Sequence, residues 1–175
     1  MNIIGIIGAM EEELETLLSS MEGKSCSLHS GSAFYQGALE GLPVVIVQCG
    51  IGKVNAAICT QILIDLFRVT HILNTGIAGS LNPQLDIGDL VISRDAMYHD
   101  VDCGAFDYPL GKVPGMDTVA FPANEALMDA AWEAAEAENP GHTRIARIAS
   151  GDQFICEKEK KERIISITGG ACTEM

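Results

Sequence analysis

Three short apolar runs, over residues 2–8, 42–48 and 71–74, each break at a small-residue turn: Gly8-Ala9-Met10, Gly50-Ile51-Gly52 and Gly76-Ile77-Ala78-Gly79. A run without polar alternation is what a strand needs when both of its faces are covered. The first two turns lead into segments of helical period. Leu14, Leu17, Leu18 and Met21 form one stripe over 11–21, and a second helix over 53–67 is expected to carry Val54, Ala57, Ile58, Ile62 and Leu66 inward. Strand, glycine turn and helix in repetition admit few architectures. The expectation is an α/β domain around a mixed, mostly parallel sheet.

The remaining chain extends this pattern. Residues 32–39 and 42–48 flank Glu40-Gly41 and read as a hairpin, with Pro43 tolerable near the start of a strand. A strand is predicted over 89–93, a helix capped by Asn124 to residue 137, a strand over 144–149, a charged helix over 157–167, and a strand from 171. Between them, 94–122 is long and irregular, and such loops in compact domains are usually functional or packed on a partner. With 175 residues, one domain spanning 1–175 is expected.

Charge narrows the partners. Eleven Lys plus Arg stand against 24 Asp plus Glu, a formal net charge of -13. That field repels polyanions, so nucleic acid and acidic membrane surfaces are excluded as expected partners. No apolar run reaches the ~20 residues that span a bilayer, and residue 1 opens no basic leader. Six cysteines form no C-x-x-C pair and lie in largely apolar surroundings, so reduced thiols and a cytoplasmic setting are expected.

Candidate chemistry gathers at the turns. Glu11, Glu12 and Glu13 open the first helix, where carboxylates favour the macrodipole but repel phosphate. Two readings stay open there: a dipole-stabilised helix start, or a carboxylate aimed into a pocket as general base for water. Gly50-Ile51-Gly52-Lys53 lacks the Walker A spacing, and Gly5-x-x-Gly8 is not the dinucleotide fingerprint. Tyr98-His99-Asp100 reads as a loop hydrogen-bond cluster, since the other histidines lie far off with no ligand spacing; no metal and no cofactor are expected. Phe154, in Ser150-Gly151-Asp152-Gln153-Phe154-Ile155, is either a core residue or a flat surface for an aromatic base.

In order along the chain stand Gly5-Ile6-Ile7-Gly8-Ala9-Met10-Glu11-Glu12-Glu13, Gly50-Ile51-Gly52-Lys53-Val54-Asn55, Asn74-Thr75-Gly76-x-Ala78-Gly79, Gly88-Asp89-Leu90-Val91, Tyr98-His99-Asp100 and Ser150-Gly151-Asp152-x-Phe154-Ile155. Together they resemble the 5'-methylthioadenosine/S-adenosylhomocysteine nucleosidase family, of the purine nucleoside phosphorylase fold. The resemblance implies a three-layer α/β fold with a central mixed sheet. It implies hydrolysis of an N-ribosidic bond with release of adenine, water being activated by Glu13. Met10, Ile51 and Gly79 would line the substrate site, Phe154 would stack on adenine, the Ile155 backbone would bond its edge, and Met175 would pack on ribose. Cys103, Phe106 and Pro114 would cross a homodimer interface to cover the neighbour's 5'-alkylthio pocket.

Two further expectations follow from the resemblance. A glutamate after Met175 and a later Ser-Asp pair, which would grip ribose and protonate adenine, fall outside these 175 residues, so the chain is expected to be incomplete at its C-terminus and nearly inactive alone. A non-catalytic adenosine-binding module, a related nucleoside phosphorylase and a futalosine hydrolase remain the alternatives. On charge grounds, glutamates at the first turn favour hydrolysis over phosphorolysis.

Overall fold

The computed structural model describes residues 2–175, which form two compact units, one ending at Ile77 and the other running Ala78–Met175. The first contains β1 (Ile4–Gly8), α1 (Glu11–Ser20), β2 (Glu22–His29), β3 (Ser32–Leu39), β4 (Leu42–Gln48), α2 (Lys53–Asp65) and β5 (His71–Asn74). Its sheet has the order β2-β3-β4-β1-β5. β1 runs parallel to β4 and β5, while β2, β3 and β4 form an antiparallel meander.

Successive strand residues point to opposite faces. Ile6, Val44 and Ile46 therefore pack with Leu14 and Met21 on the α1 side. Ile7, Val45 and Val47 pack instead with Cys59 and Leu63 of α2. Of the five residues expected inward on this helix only Ile62 joins the core, while Val54, Ala57, Ile58 and Leu66 are exposed. Covering on both sides is the reason the run at 2–8 carries no polar alternation. β2 escapes the apolar pattern for the opposite reason. Its Glu22–His29 stretch is largely exposed, and backbone pairing to β3 makes it a strand without an apolar stripe. α1 correspondingly stops at Ser20, and Met21 turns extended into β2.

The second unit contains β6 (Gly79–Ser80), β7 (Leu90–Tyr98), β8 (Ala120–Pro122), α3 (Glu125–Glu138), β9 (Thr143–Ser150), α4 (Lys158–Thr168) and β10 (Cys172–Glu174). Its sheet order is β6-β10-β9-β7-β8, with β10, β9 and β7 parallel and an antiparallel strand at each edge. The Asn124 side chain accepts the Leu127 N–H at 3.1 Å and caps α3 as expected. Leu81, Ala149, Ile155 and Ile164 form a buried core cluster. Both units combine helices with a mixed sheet, so the α/β class is the one observed.

One boundary needs correction. The strand expected over 89–93 continues to Tyr98, so the irregular segment is shorter than 94–122; it holds a 3-10 turn at Gly104–Phe106 and ends in β8. Arg94 and Asp95 hide this strand from a hydrophobicity reading, because a bulge at Ser93/Asp95 turns the acid onto an ion pair. Arg147 Nε and Nη2 donate to the two Asp95 oxygens at 2.5 and 2.8 Å, and Nη1 donates to the Thr168 carbonyl at 2.8 Å. The guanidinium thereby ties β7, β9 and the end of α4.

The hydrogen bond from Arg147 holds the Asp95 carboxyl below its ordinary value despite partial burial. A depressed carboxylate stabilises the fold above its unfolded pKa, roughly 4, and that contribution disappears as pH falls through the lower folded value. Arg147→Ala is expected to cost about 3 kcal/mol in urea unfolding at neutral pH, because it strands a half-buried carboxylate. The Asp95→Leu/Arg147→Met double variant should recover most of that loss, and failure to recover it would assign the cost to packing instead.

No disulfide joins the six cysteines. Cys49, Cys59 and Cys172 are buried, and burial pushes the Cys172 thiol up to about 11. Cys26 and Cys156 are exposed, so the reading of all six as small core hydrophobes holds for only part of the set.

Candidate active site

In the first unit, β4, β1 and β5 are adjacent and parallel, and their carboxyl ends lie in register: Gly8 beside Gln48, and Ile7 beside Asn74. The three turns singled out in the sequence leave the sheet along this one edge, where open α/β sheets bind ligands. The turns are pinned to the strands. Cys49 N–H donates to Gly8 O at 2.9 Å, and Thr75 N–H to Ile7 O at 3.0 Å. Asn55 Nδ2 donates to Ile51 O at 2.7 Å and holds the middle turn, on which Ile51 is 52% exposed.

Glu13 joins two of these turns. Its Oε2 accepts the N–H groups of Ala9 and Met10 at 2.8 and 3.0 Å, and its Oε1 accepts the Ile77 N–H at 2.8 Å. Position explains the choice among three glutamates. Glu13 is the third residue of α1, from which a side chain reaches back over the helix start, whereas Glu11 and Glu12 remain exposed. Gly76 makes the contact possible: a Cβ there would lie 2.5 Å from Oε1 and 2.8 Å from the carboxyl carbon. The space at Gly76 is thus occupied by the chain's own carboxylate.

A carboxylate oxygen offers two lone pairs. Two backbone donors satisfy Oε2, while the single donor on Oε1 leaves that atom one lone pair. Half-buried Met10, whose N–H meets Oε2, is the N-cap residue of α1.

In the second unit, the carboxyl end of β9 runs into the turn that carries Phe154 and Ile155. Ile155 is buried in the cluster with Leu81, Ala149 and Ile164, while neighbouring Phe154 is 80% exposed. Phe154 is therefore no core residue, which removes one of its two sequence readings. Gly79 pairs with Thr173 across β6 and β10, and a Cβ on it would lie 4.0 Å from Ile155 O. Met175, half-buried, directly follows β10. Gly79, Ile155 and the β10 end are thus neighbours.

Phe106 stands 78% exposed on the 3-10 turn, Pro114 is exposed, and Cys103 is half-buried just before that turn. Among the described residues no group of three His, Cys, Asp or Glu could hold a metal ion. No helix of the described residues is long and apolar enough to cross a membrane.

Residues 3–175 match the phosphorylase superfamily along almost the whole chain. The chain belongs to the phosphorylase superfamily. Within it, the chain is 45% identical over 157 residues to a 5'-methylthioadenosine/S-adenosylhomocysteine nucleosidase of Geobacillus kaustophilus, covering 90% of this chain and 66% of that protein. It therefore spans just under two thirds of that relative. The nucleosidase of Colwellia psychrerythraea, solved in complex with adenine, superposes with a TM-score of 0.94 at 39% identity, covering 99% of this chain and 72% of that one. Futalosine hydrolase of Helicobacter pylori superposes with a TM-score of 0.93 at 34% identity, covering 99% and 74%. The superfamily match and these likenesses bear out the resemblance drawn from the motifs.

In the second unit the loop hydrogen-bond cluster read at Tyr98-His99-Asp100 is observed, with the Asp152 N–H donating to Asp100 Oδ2 at 2.8 Å. In the first unit the sequence pointed to the glycine turns but missed two groups, the Ile77 N–H on Glu13 and the space that Gly76 leaves for that carboxylate. A glutamate at the third position of a helix that leaves a strand-end glycine is the signal that could have found the first.

Proposed function

We propose that the protein hydrolyses the N-ribosidic bond of 5'-methylthioadenosine and S-adenosylhomocysteine, releasing adenine and the 5-thioribose product. One observation carries this reading: Glu13 is braced at a parallel sheet edge by three N–H groups, with one lone pair left on Oε1. That lone pair accepts a proton from water as the ribosidic bond lengthens and positive charge builds on ribose. Fixed N–H donors keep the carboxylate aimed without reorganisation at the moment of reaction. The glutamates of this turn would repel inorganic phosphate, which favours water over phosphate as nucleophile.

Met10 and Ile51 line the floor around water and ribose. Phe154 supplies a stacking face for adenine, the Ile155 backbone bonds the base edge, Gly79 lets backbone approach the substrate, and Met175 packs on ribose. The exposure of Phe154 beside a buried neighbour supports that division of labour. The reading extends to a cytoplasmic homodimer acting in methionine salvage. In it Cys103, Phe106 and Pro114 of one protomer cover the 5'-alkylthio pocket of its partner, a role supported by the exposed Phe106 ring.

Adenine release from 5'-methylthioadenosine, followed with and without phosphate, tests the reaction. Release, slow for this 175-residue chain, is expected at a rate independent of phosphate. A phosphate-dependent rate would make the protein a phosphorylase, and tight binding without turnover would make it a non-catalytic adenosine-binding module. Likeness to the futalosine hydrolase motivates running futalosine beside the thionucleosides, with faster turnover of futalosine reassigning the substrate.

A further inference from the structure

The turn between β9 and α4 presents Phe154, and its first residues are tied down by backbone pairing. His99 N–H donates to Ser150 O at 3.0 Å, and Gly151 N–H to Glu174 O at 3.2 Å. The next residue, Asp152, is held by a side chain from another element: its N–H donates to Asp100 Oδ2 at 2.8 Å. Asp100 lies two residues past the end of β7 and 52 residues away in sequence, so this bond fixes the turn against a neighbouring strand rather than within itself. Gly151 lets the two segments meet. A Cβ there would overlap His99 Nε2 and come within 2.9 Å of the Asp100 carboxyl carbon.

Downstream, the Ile155 side chain anchors the turn in the core, and Phe154 projects between these two fixings. An exposed ring can offer a stacking face at a defined place only if its backbone is held on both sides. The core supplies one hold and the Asp100 carboxylate the other.

We infer that Asp100 is a positioning residue for nucleobase recognition, acting through the Asp152 N–H to hold the turn that presents Phe154. The inference rests on the adenine-stacking reading of Phe154. Asp100 itself touches no substrate. Its bond to Asp152 is charge-assisted, and losing such a bond typically weakens an equilibrium by about tenfold. The effect should fall on binding of the base, because without Asp100 the part of the turn's ordering that it supplies in advance is left to adenine.

The test compares Asp100→Ala, Asp100→Asn and Phe154→Ala with the parent protein, reading the adenine dissociation constant by calorimetry and exchange of the Asp152 amide by NMR. Asp100→Ala is expected to weaken adenine about tenfold and to speed exchange at Asp152. Asp100→Asn keeps an acceptor oxygen and should stay within about threefold of the parent in affinity, a rescue that a general loss of packing would not show. Unchanged adenine affinity in Asp100→Ala, with Phe154→Ala weakened, overturns the role of Asp100 and leaves the stacking reading intact. Full affinity in Phe154→Ala, or no adenine binding by the parent, overturns the stacking reading and this inference with it. If Asp100→Ala does not fold, Asp100→Ser, one atom too short to hold the Asp152 N–H in the same way, takes its place: weakened adenine with faster exchange at Asp152 supports the inference, and parent-like affinity overturns it.

Discussion

Glu13→Gln is expected to lower the rate of adenine release by about 10²–10⁴-fold, the range lost with a general base. The structure adds a second cost. An amide has one acceptor oxygen, whereas Glu13 serves N–H groups through both of its oxygens. If the amide oxygen takes the Ala9 and Met10 donors, the amide nitrogen confronts the Ile77 N–H; the reverse placement leaves two donors facing it. A fall of about 1–3 kcal/mol in stability should therefore accompany the loss of rate. Glu13→Asp separates the two effects of charge and reach. It keeps the carboxylate but, one methylene shorter, cannot span both turns, so it should also lose most of the rate. Near-parent turnover in either variant would remove Glu13 from the reaction.

Gly76→Ala should be almost as damaging although it changes no ionisable group. The added methyl would sit 2.5 Å from Glu13 Oε1, so either the carboxylate or the β5 exit must shift. Misplacing a reacting group by about 1 Å commonly costs ~10²-fold, and overpacking adds about 1–3 kcal/mol of instability. The informative comparison is between rate and affinity in the same variant. Gly76→Ala is expected to lose turnover while adenine affinity, which the reading assigns to the turn at Phe154, changes little. A variant with parent-like turnover would mean that the carboxylate has room it does not have here.

Legibility of the chain followed burial. β1 and β4 announced themselves because both of their faces are covered, so apolar runs mark them without ambiguity, whereas α2 was found as a helix but with the wrong face turned inward. β2 was invisible for the converse reason, and the second half of β7 was masked by Arg94 and Asp95, whose charges suit a strand only because Arg147 comes to meet Asp95. In the candidate site, the sequence located the turns but could not choose among Glu11, Glu12 and Glu13 on local chemistry; that choice came from resemblance. The reason for it is three-dimensional. Only the third glutamate reaches the N–H groups behind the helix start, and the Ile77 donor lies 64 residues away along the chain. Phe154 was ambiguous for a related reason, since a lone aromatic beside an aliphatic residue does not reveal which of the two the core takes.

The pairing of exposed Phe154 with buried Ile155 separates two jobs that many binding loops combine in one residue. A change at 155 disturbs the packing of Leu81, Ala149 and Ile164, whereas a change at 154 alters only what the loop offers to a visitor. Mutational drift at 154 is therefore cheap in folding terms and, on the proposed stacking role, costly only in recognition. Such a position can be sampled freely by selection for a new base or a new leaving group, with the scaffold left untouched.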